Sequence, residues 1–234
     1  MLYCGHMRKT EFANGEFYHI YNRGVDKRDV FLDDADYQRF LLSLVEFNCI
    51  EPIGSLYEKY LRDKQASENG GSTSIGEVEP PFSQREKLVE ITCYCLNTNH
   101  YHFILRQLED DGIKKFMHRL GTAYTMFFNK KYKRSGALFQ GRFKAIHIDS
   151  NEYLLYLSAY VNQNNFIHGL GGGDWKYSSL MEYKNLHNGN VYICNVKSIL
   201  DQFKNIDEYM EFLNVNALYL KNKKEDQKYL LEEF

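Results

Sequence analysis

The sequence lacks the features that mark membrane, secreted and zinc-finger proteins. It has no run approaching the roughly 18 consecutive apolar residues of a membrane-spanning helix. Its start, MLYCGHMRKT, has no apolar run long enough for a secretory signal, so we expect a cytoplasmic protein, nucleoid-associated if it binds DNA. The five cysteines are an odd number without Cys-x-x-Cys spacing, which argues against disulfides and structural zinc and predicts buried, reduced thiols.

Acidic residues are missing from one long basic segment. The net charge of the 234 residues is only -2. Between residues 112 and 148, however, nine lysines and arginines occur without any aspartate or glutamate. A solvated charged face is the ordinary explanation of shorter runs, but we favour a polyanion-binding face here. The nine residues are Lys114, Lys115, Arg119, Lys130, Lys131, Lys133, Arg134, Arg142 and Lys144.

The hydrophobic pattern switches between strand and helix periodicity. Asp33 or Asp34 is the expected N-cap of the first helix, and Asp149 or Ser150 that of the last one before the glycines at 169–173. The order β-α-β-β-α-β predicts an α+β fold of the split β-α-β class, with helices packed on an antiparallel sheet. The pattern indicates strands at 16–22, 88–96 and 100–105, an extended segment at 136–148, and helices at 34–48, after Asp110 or Asp111, and at 152–164.

Composition divides the chain into a catalytic-sized domain and an extension. Residues 1–173 hold the alternating pattern, and residues 64–81, which are polar and rich in Gly and Ser, predict a flexible insertion within it. Residues 174–234 predict a mostly helical C-terminal extension, with helices at 195–213 and 215–232.

Two histidines alternate in a predicted strand, in His100-Tyr101-His102. Side chains at i and i+2 of a strand point to the same face, so both imidazoles can bind one divalent ion. Alone, a His-x-His pair is more often coincidental than metal-binding.

Three tyrosines and an asparagine share one face of the predicted helix at 152–164. They lie at i, i+3, i+7 and i+11, and the residues are Tyr153, Tyr156, Tyr160 and Asn164. Such a stripe usually packs in a core. This one is more polar than a core requires, because each buried hydroxyl needs a hydrogen-bonding partner.

Five segments, in order, resemble the single-tyrosine HUH transposases, especially the REP-associated tyrosine transposases. Residues 94–105, YCLNTNHYHFIL, resemble the HUH signature that names the family. The other four are FYHIYNRG at 17–24, LFQGRFK at 138–144, the stretch 153–170, and WKYSS at 175–179.

The resemblance implies a ferredoxin/RRM-like fold and a specific chemistry. His100 and His102 fall on the metal-binding histidines, Tyr160 on the nucleophile, and Asn164 on a third ligand of the family. Mg²⁺ or Mn²⁺ would be the cofactor, and single-stranded or hairpin DNA the substrate. The chain would cleave DNA through a 5′-phosphotyrosine. Whether the site forms in one chain or across a homodimer stays open.

The sequence departs from the family pattern around its site. Asn97-Thr98 replaces the usual Met-Pro before the first histidine, and Asn165 replaces the proline after Asn164. We leave His19 and His147 outside the predicted site.

Several basic residues are predicted DNA contacts. Arg23, Arg142 and Lys144 lie in family-like segments and are expected to contact phosphates beside the site. The remaining predicted contacts, which hold the backbone at a distance, are Arg119, Lys130, Lys131, Lys133 and Arg134.

Two other functions stay open from the sequence. A domesticated protein could keep the fold and bind nucleic-acid hairpins or act in regulation without moving DNA. An unrelated metallohydrolase could use the histidine pair and water, but this leaves Tyr160 and the downstream segment unexplained.

Overall fold

The computed structural model describes residues 10–68, 85–172, 174–185 and 192–232. Four strands form one antiparallel sheet in the order β2-β3-β1-β4. Their bounds are β1 Phe17–Arg23, β2 Val89–Asn97, β3 His100–Gln107 and β4 Lys144–Ile148. The helices are α1 Asp34–Glu46, α2 Leu56–Glu68, α3 Gly112–Lys131, α4 Asn151–Asn162, α5 Asn164–Ile167, α6 Leu180–Tyr183, α7 Lys197–Leu200 and α8 Ile206–Glu232.

The chain order β1-α1-α2-β2-β3-α3-β4 confirms the predicted split β-α-β fold and its antiparallel sheet. Strands β1 and β3 are the two central strands, and they pair along their whole length, from Phe17 opposite Arg106 to Arg23 opposite His100. A side chain on either central strand is therefore flanked by a neighbour on both sides.

One face of the sheet packs against α1 and α3. Tyr18 and Ile20 alternate to this face from β1, as Tyr101 and Phe103 do from β3, and all four are buried in one apolar cluster. Helices α1 and α3 fill the other side of the cluster with apolar residues at helical spacing, namely Tyr37, Phe40, Leu44, Ile113, Phe116, Leu120 and Tyr124.

The opposite face packs against α4 and α8. Cys93, Cys95 and Ile104 form an apolar floor, and Leu157 of α4 and Leu213 of α8 lie in the same cluster. Because His100 and His102 have the same parity as Ile104, they point to this face too. The candidate site therefore lies between the sheet and α4.

Four expectations about boundaries were wrong. Helix α2 runs to Glu68, so the predicted insertion at 64–81 begins as helix; its residues from 69 onward lie outside the described part. Of the extended segment 136–148 only β4 is a strand, because Gly136 and Gly141 take positive φ and turn the chain. Helix α4 ends at Asn162, two residues early. Helix α8 continues through residue 214, where two helices were expected.

The C-terminal residues pack directly on the sheet and α4. The indole of Trp175 donates to the carbonyl of Leu96 at 2.7 Å, and Asn162 of α4 donates to the Tyr209 hydroxyl of α8 at 2.8 Å. A division of the chain at residue 173 stays a prediction.

Among the described residues, Cys49, Cys93 and Cys95 are buried, Cys194 is half-buried, and none of the four forms a disulfide. Within the described ranges, no helix has the length and apolar character to cross a membrane.

Candidate active site

The two predicted metal ligands lie side by side on β3. His100 and His102 are 6% and 8% exposed, and their ring centroids are 5.2 Å apart. Both are on a central strand, so the neighbouring strands β1 and β2 hold them from either side. The floor of the site is thus hydrogen-bonded to a neighbouring strand on each side.

Hydrogen bonds determine the tautomer of His100. Its Nδ1 lies 2.6 Å from Oδ1 of Asn99, whose amide nitrogen donates to the carbonyl of Lys27 and so fixes the orientation of the amide. Nδ1 must therefore carry the proton. Nε2 is left as an acceptor, and it receives a hydrogen bond from Nδ2 of Asn97 at 2.9 Å.

His102 is held by a histidine of the neighbouring strand. Nδ1 of His102 lies 2.8 Å from Nε2 of His19, which leaves Nε2 of His102 as its ligand atom. Burial lowers the pKa of His19 to about 4 and the pKa of His102 well below its ordinary value. Both rings are therefore neutral at pH 7, as a metal ligand requires.

Tyr160 is the tyrosine of α4 that reaches the histidines. The helix begins at Ser150, whose hydroxyl accepts from the backbone N–H of Tyr153. Two turns later, the Tyr160 ring stands edge-on to His102 with 5.5 Å between centroids. Burial raises the pKa of Tyr160, and the side chain of Asn164 opposes that rise.

The other two tyrosines of the stripe lie elsewhere. Among the described residues, neither Tyr153 nor Tyr156 makes a ring contact with His100 or His102. Tyr156 is close enough to Tyr219 of α8 for electrostatic interaction.

Asn164 reaches the site although the helix stops before it. Gln163 leaves helical geometry with φ -107° and ψ 15°, and α5 starts at the next residue. Asn164 is fully buried; its Oδ1 accepts from Nδ2 of Asn97 at 2.7 Å and lies 3.2 Å from Nε2 of His100. Its Nδ2 makes no hydrogen bond of standard geometry within the described part of the chain.

This donor set fits a divalent cation. Nε2 of His100 and Oδ1 of Asn164 are both acceptors, and they converge on the same donor, the Asn97 amide. No three His, Cys, Asp or Glu side chains among the described residues are placed to hold a metal ion. Asn164 would supply an amide oxygen beside the histidine pair to a metal bound here.

Part of the chain matches a known protein family. Residues 81–164, which include both histidines, Tyr160 and Asn164, match the family model "Transposase IS200 like". This segment of the chain is therefore similar to the IS200-like transposases. The family resemblance inferred from the motifs is thereby confirmed. No curated protein matches the chain significantly.

A solved structure shares the fold of this chain. It is that of a REP-associated tyrosine transposase bound to a REP hairpin. The match has a TM-score of 0.50 and 16% identity, and it covers 80% of this chain and 88% of the other. At this identity the similarity shows the common fold.

Sequence reasoning missed four polar residues of the candidate site. They are His19, which was left outside the site, Tyr21, Asn97 and His168. The ring of Tyr21 stacks on that of His102 with 5.7 Å between centroids, and the ring centroids of His168 and His100 are 5.4 Å apart. The His-x-Tyr alternation at 19–21 was the available signal, but only the β1–β3 register shows that it faces the HUH histidines.

Three of the predicted DNA contacts are engaged within the protein. Arg119 donates to the carbonyls of Cys49 and Ile50. Lys131 pairs with Asp33 and Asp36, each at 2.7 Å. Arg134 binds the side chain of Asn129 and the carbonyl of Ala137. These three cations stabilise the fold around α3, and their charged groups are already engaged within the chain.

The other five predicted contacts are Arg23, Lys130, Lys133, Arg142 and Lys144, and none of them forms an ion pair with another described residue. Lys144 lies over the ring of Tyr21, beside the histidines. Arg142 borders a groove of about 700 Å³ between α3 and the 137–143 segment. Asn22 and Tyr101 also line the groove, and they point away from the histidine face.

Proposed function

We propose that this transposase domain nicks and rejoins single-stranded DNA through a covalent bond to Tyr160. The observation that carries the proposal is that a tyrosine, two histidines and an asparagine meet between the sheet and α4. The phenol of Tyr160 contacts His102, and Asn164 lies against His100. A nucleophile beside a donor set for a divalent ion is an arrangement that suits phosphodiester transfer.

The proposed cleavage of the phosphodiester by Tyr160 needs no oxidant and no cosubstrate. Oη of Tyr160 forms a bond to the scissile phosphorus, and the bond from phosphorus to the 3′ oxygen breaks. The phenol loses its proton, and the leaving oxygen becomes a 3′-hydroxyl. The products are a 5′-phosphotyrosine and a free 3′-OH, and attack by another 3′-OH on the phosphotyrosine reverses the step and joins strands.

The surroundings of Tyr160 indicate how the attack would be activated. Its raised pKa means that the phenol is protonated at pH 7, so activation has to come from the site. A divalent ion held by His100, His102 and Asn164 would supply charge that polarises the scissile phosphate. Two imidazoles with one amide oxygen suit Mn²⁺ at least as well as Mg²⁺.

We propose hairpin-flanked single-stranded DNA as the substrate. The solved structure that shares this fold holds a REP hairpin. In this chain, unpaired cations occur on both faces of the sheet, with Lys144 beside the histidines and Arg142 at the groove on the other side. One face can therefore hold a strand for cleavage while the other holds duplex backbone.

The polarity of the covalent bond tests this function. The purified chain is incubated with Mn²⁺ and an imperfect palindrome from the DNA flanking its gene, carrying single-stranded arms. We expect a 3′ label to remain with the protein on a denaturing gel and a 5′ label to run as a shortened free strand. A protein-bound 5′ label would contradict the 5′-phosphotyrosine, and cleavage without any adduct would support a water-using hydrolase.

Binding without cleavage would favour the alternative of a domesticated hairpin-binding or regulatory protein. An inactive but folded chain would separate that outcome from misfolding, so circular dichroism of the same sample is the control. The retained pairing of Tyr160 with His102 is what argues for an active enzyme.

A further inference from the structure

Helix α8 delivers a lysine to the edge of the candidate active site. Nζ of Lys224 lies 2.5 Å from Nδ1 of His168. The His168 ring is in turn 5.4 Å from the ring of His100 and 6.5 Å from that of Tyr160. One imidazole therefore separates the ammonium of Lys224 from the nucleophile and a metal-ligand candidate.

The charge of Lys224 is not neutralised by its contact. An ammonium group has three donors and no acceptor, so Nδ1 of His168 is the acceptor and this ring is uncharged. In the part of the chain that the structure describes, no carboxylate forms an ion pair with Lys224. The ammonium keeps two further donors and a full positive charge for another ligand.

A second lysine adds positive charge at the same edge of the candidate site. Lys221 lies one helical turn earlier on α8, and its Nζ is 4.4 Å from the centre of the Phe166 ring in α5. On the opposite side, Arg23 pairs with His100 in the β1–β3 register. Cations thus flank the histidines from both the sheet and the C-terminal helix.

We propose that Lys224 binds a backbone phosphate of the DNA strand lying in the active site, so that α8 completes this site. This inference rests on the proposed function. A phosphodiester oxygen suits the two remaining donors, and a charge-assisted bond of this kind is among the stronger hydrogen bonds in proteins. The competing explanation is that Lys224 only attaches α8 to α5 through His168.

Salt-dependent binding to single-stranded DNA distinguishes the two. All variants carry Tyr160→Phe, which prevents cleavage, and the probe is fluorescein-labelled oligothymidylate titrated at several KCl concentrations. We expect Lys224→Met to weaken binding about tenfold at low salt. It should also reduce the slope of log K against log salt by about 0.7, the value for one phosphate contact on a single strand.

The neighbouring Lys223 provides the matched control. Its Nζ lies 5.9 Å from the centre of the Tyr219 ring on the same helix. Lys223→Met removes the same charge and is expected to leave affinity and slope near those of the parent. Lys224→Arg should retain most of the affinity, and Lys224→Glu should lose more than Lys224→Met, because it places a negative charge against the phosphate.

The outcomes separate the inference from the proposed function. Equal binding by the Lys224→Met and Lys223→Met proteins, with a lower melting temperature for the former, would overturn the inference in favour of simple attachment. If the protein with an intact Tyr160 forms the tyrosine adduct while the two lysine variants bind equally, the proposed function stays intact. If the Tyr160→Phe parent binds the probe without any salt dependence and the protein with an intact Tyr160 forms no adduct, both are overturned.

Discussion

Tyr160 of α4 and His102 of β3 meet edge to face, with 5.5 Å between their ring centroids and an interplanar angle of 86°. The nucleophile candidate and the metal-ligand candidates therefore come together within a single chain. A homodimer, which the family resemblance left open, is not needed to assemble these particular side chains, and the oligomeric state stays a prediction. The contact also favours Tyr160 over Tyr153 and Tyr156 as the nucleophile candidate. Helical periodicity alone does not distinguish these three tyrosines.

We expect Tyr160→Phe to abolish the covalent DNA adduct while leaving the fold and DNA affinity nearly unchanged. The substitution removes only the attacking oxygen, and the ring still packs against His102. Tyr156→Phe is the matched control on the same helix and should form adduct at the parental rate. Denaturing gels with labelled hairpin DNA measure both, and an adduct that persists in Tyr160→Phe would show that another tyrosine attacks.

One Mn²⁺ ion should bind through the two β3 histidines. Isothermal titration calorimetry of the parent is expected to give a single site, which His100→Ala combined with His102→Ala removes. The control is His147→Ala, because this histidine is half-exposed and binds Glu16 away from the site. Parental Mn²⁺ affinity in the double variant would disprove the assignment of these ligands.

His19 should act as a positioning residue for His102. Its Nε2 binds Nδ1 of His102 and so fixes the ring that would present Nε2 to a metal. Replacing such an outer partner typically lowers metal affinity by about 10–100-fold. His19→Phe keeps an aromatic ring of similar shape, so its melting temperature should stay near the parental value while calorimetry shows weaker Mn²⁺ binding. Unchanged affinity would restrict His19 to packing.

Local chemistry explains what the sequence could predict. Asp33 caps α1 by accepting from the backbone of Asp36, and Ser150 caps α4 in the same way, because capping depends on residues three positions apart. Strand alternation likewise placed His100 and His102 on one face. Capping and strand alternation are properties of short segments, and they do not depend on how the rest of the chain folds.

The rest of the site depends on contacts between distant segments. The pairing of His19 with His102 follows from the β1–β3 register, which no local pattern specifies. The Asn97–Asn164 hydrogen bond links the end of β2 to α5 across a helix break that was not predicted. The engagement of Lys131 by Asp36 shows the same limit, since charge counting cannot separate a structural cation from a DNA-binding one.

Stability should fall as the pH drops from 7 to 5. Burial lowers the pKa of His19 to about 4, compared with an ordinary value of 6.5, so the unfolded chain binds more protons between these two values. Unfolding therefore becomes easier as pH falls through this window, by at most about 1.4 kcal/mol per pH unit for this group. Urea unfolding in the presence of a chelator measures it. His19→Gln should flatten the dependence, and equal urea midpoints for the parent at both pH values would contradict it.

The exposed cations of the basic segment, rather than the engaged ones, should set the salt dependence of hairpin binding. Lys130 and Lys133 form no ion pair with another described residue, whereas Lys131 is bound by Asp33 and Asp36. Each phosphate contact on duplex DNA contributes about 0.9 to the slope of log K against log salt, because neutralised phosphates release counterions. Lys130→Ala with Lys133→Ala should therefore lower the slope by up to about 1.8 while keeping the melting temperature.

Lys131→Ala is the contrasting variant. It leaves the carboxylate of Asp36 buried without its lysine partner, so it should lower the melting temperature and change the slope little. Fluorescence anisotropy across a KCl series decides between them, and a larger slope change for Lys131→Ala than for the double variant would reverse the assignment.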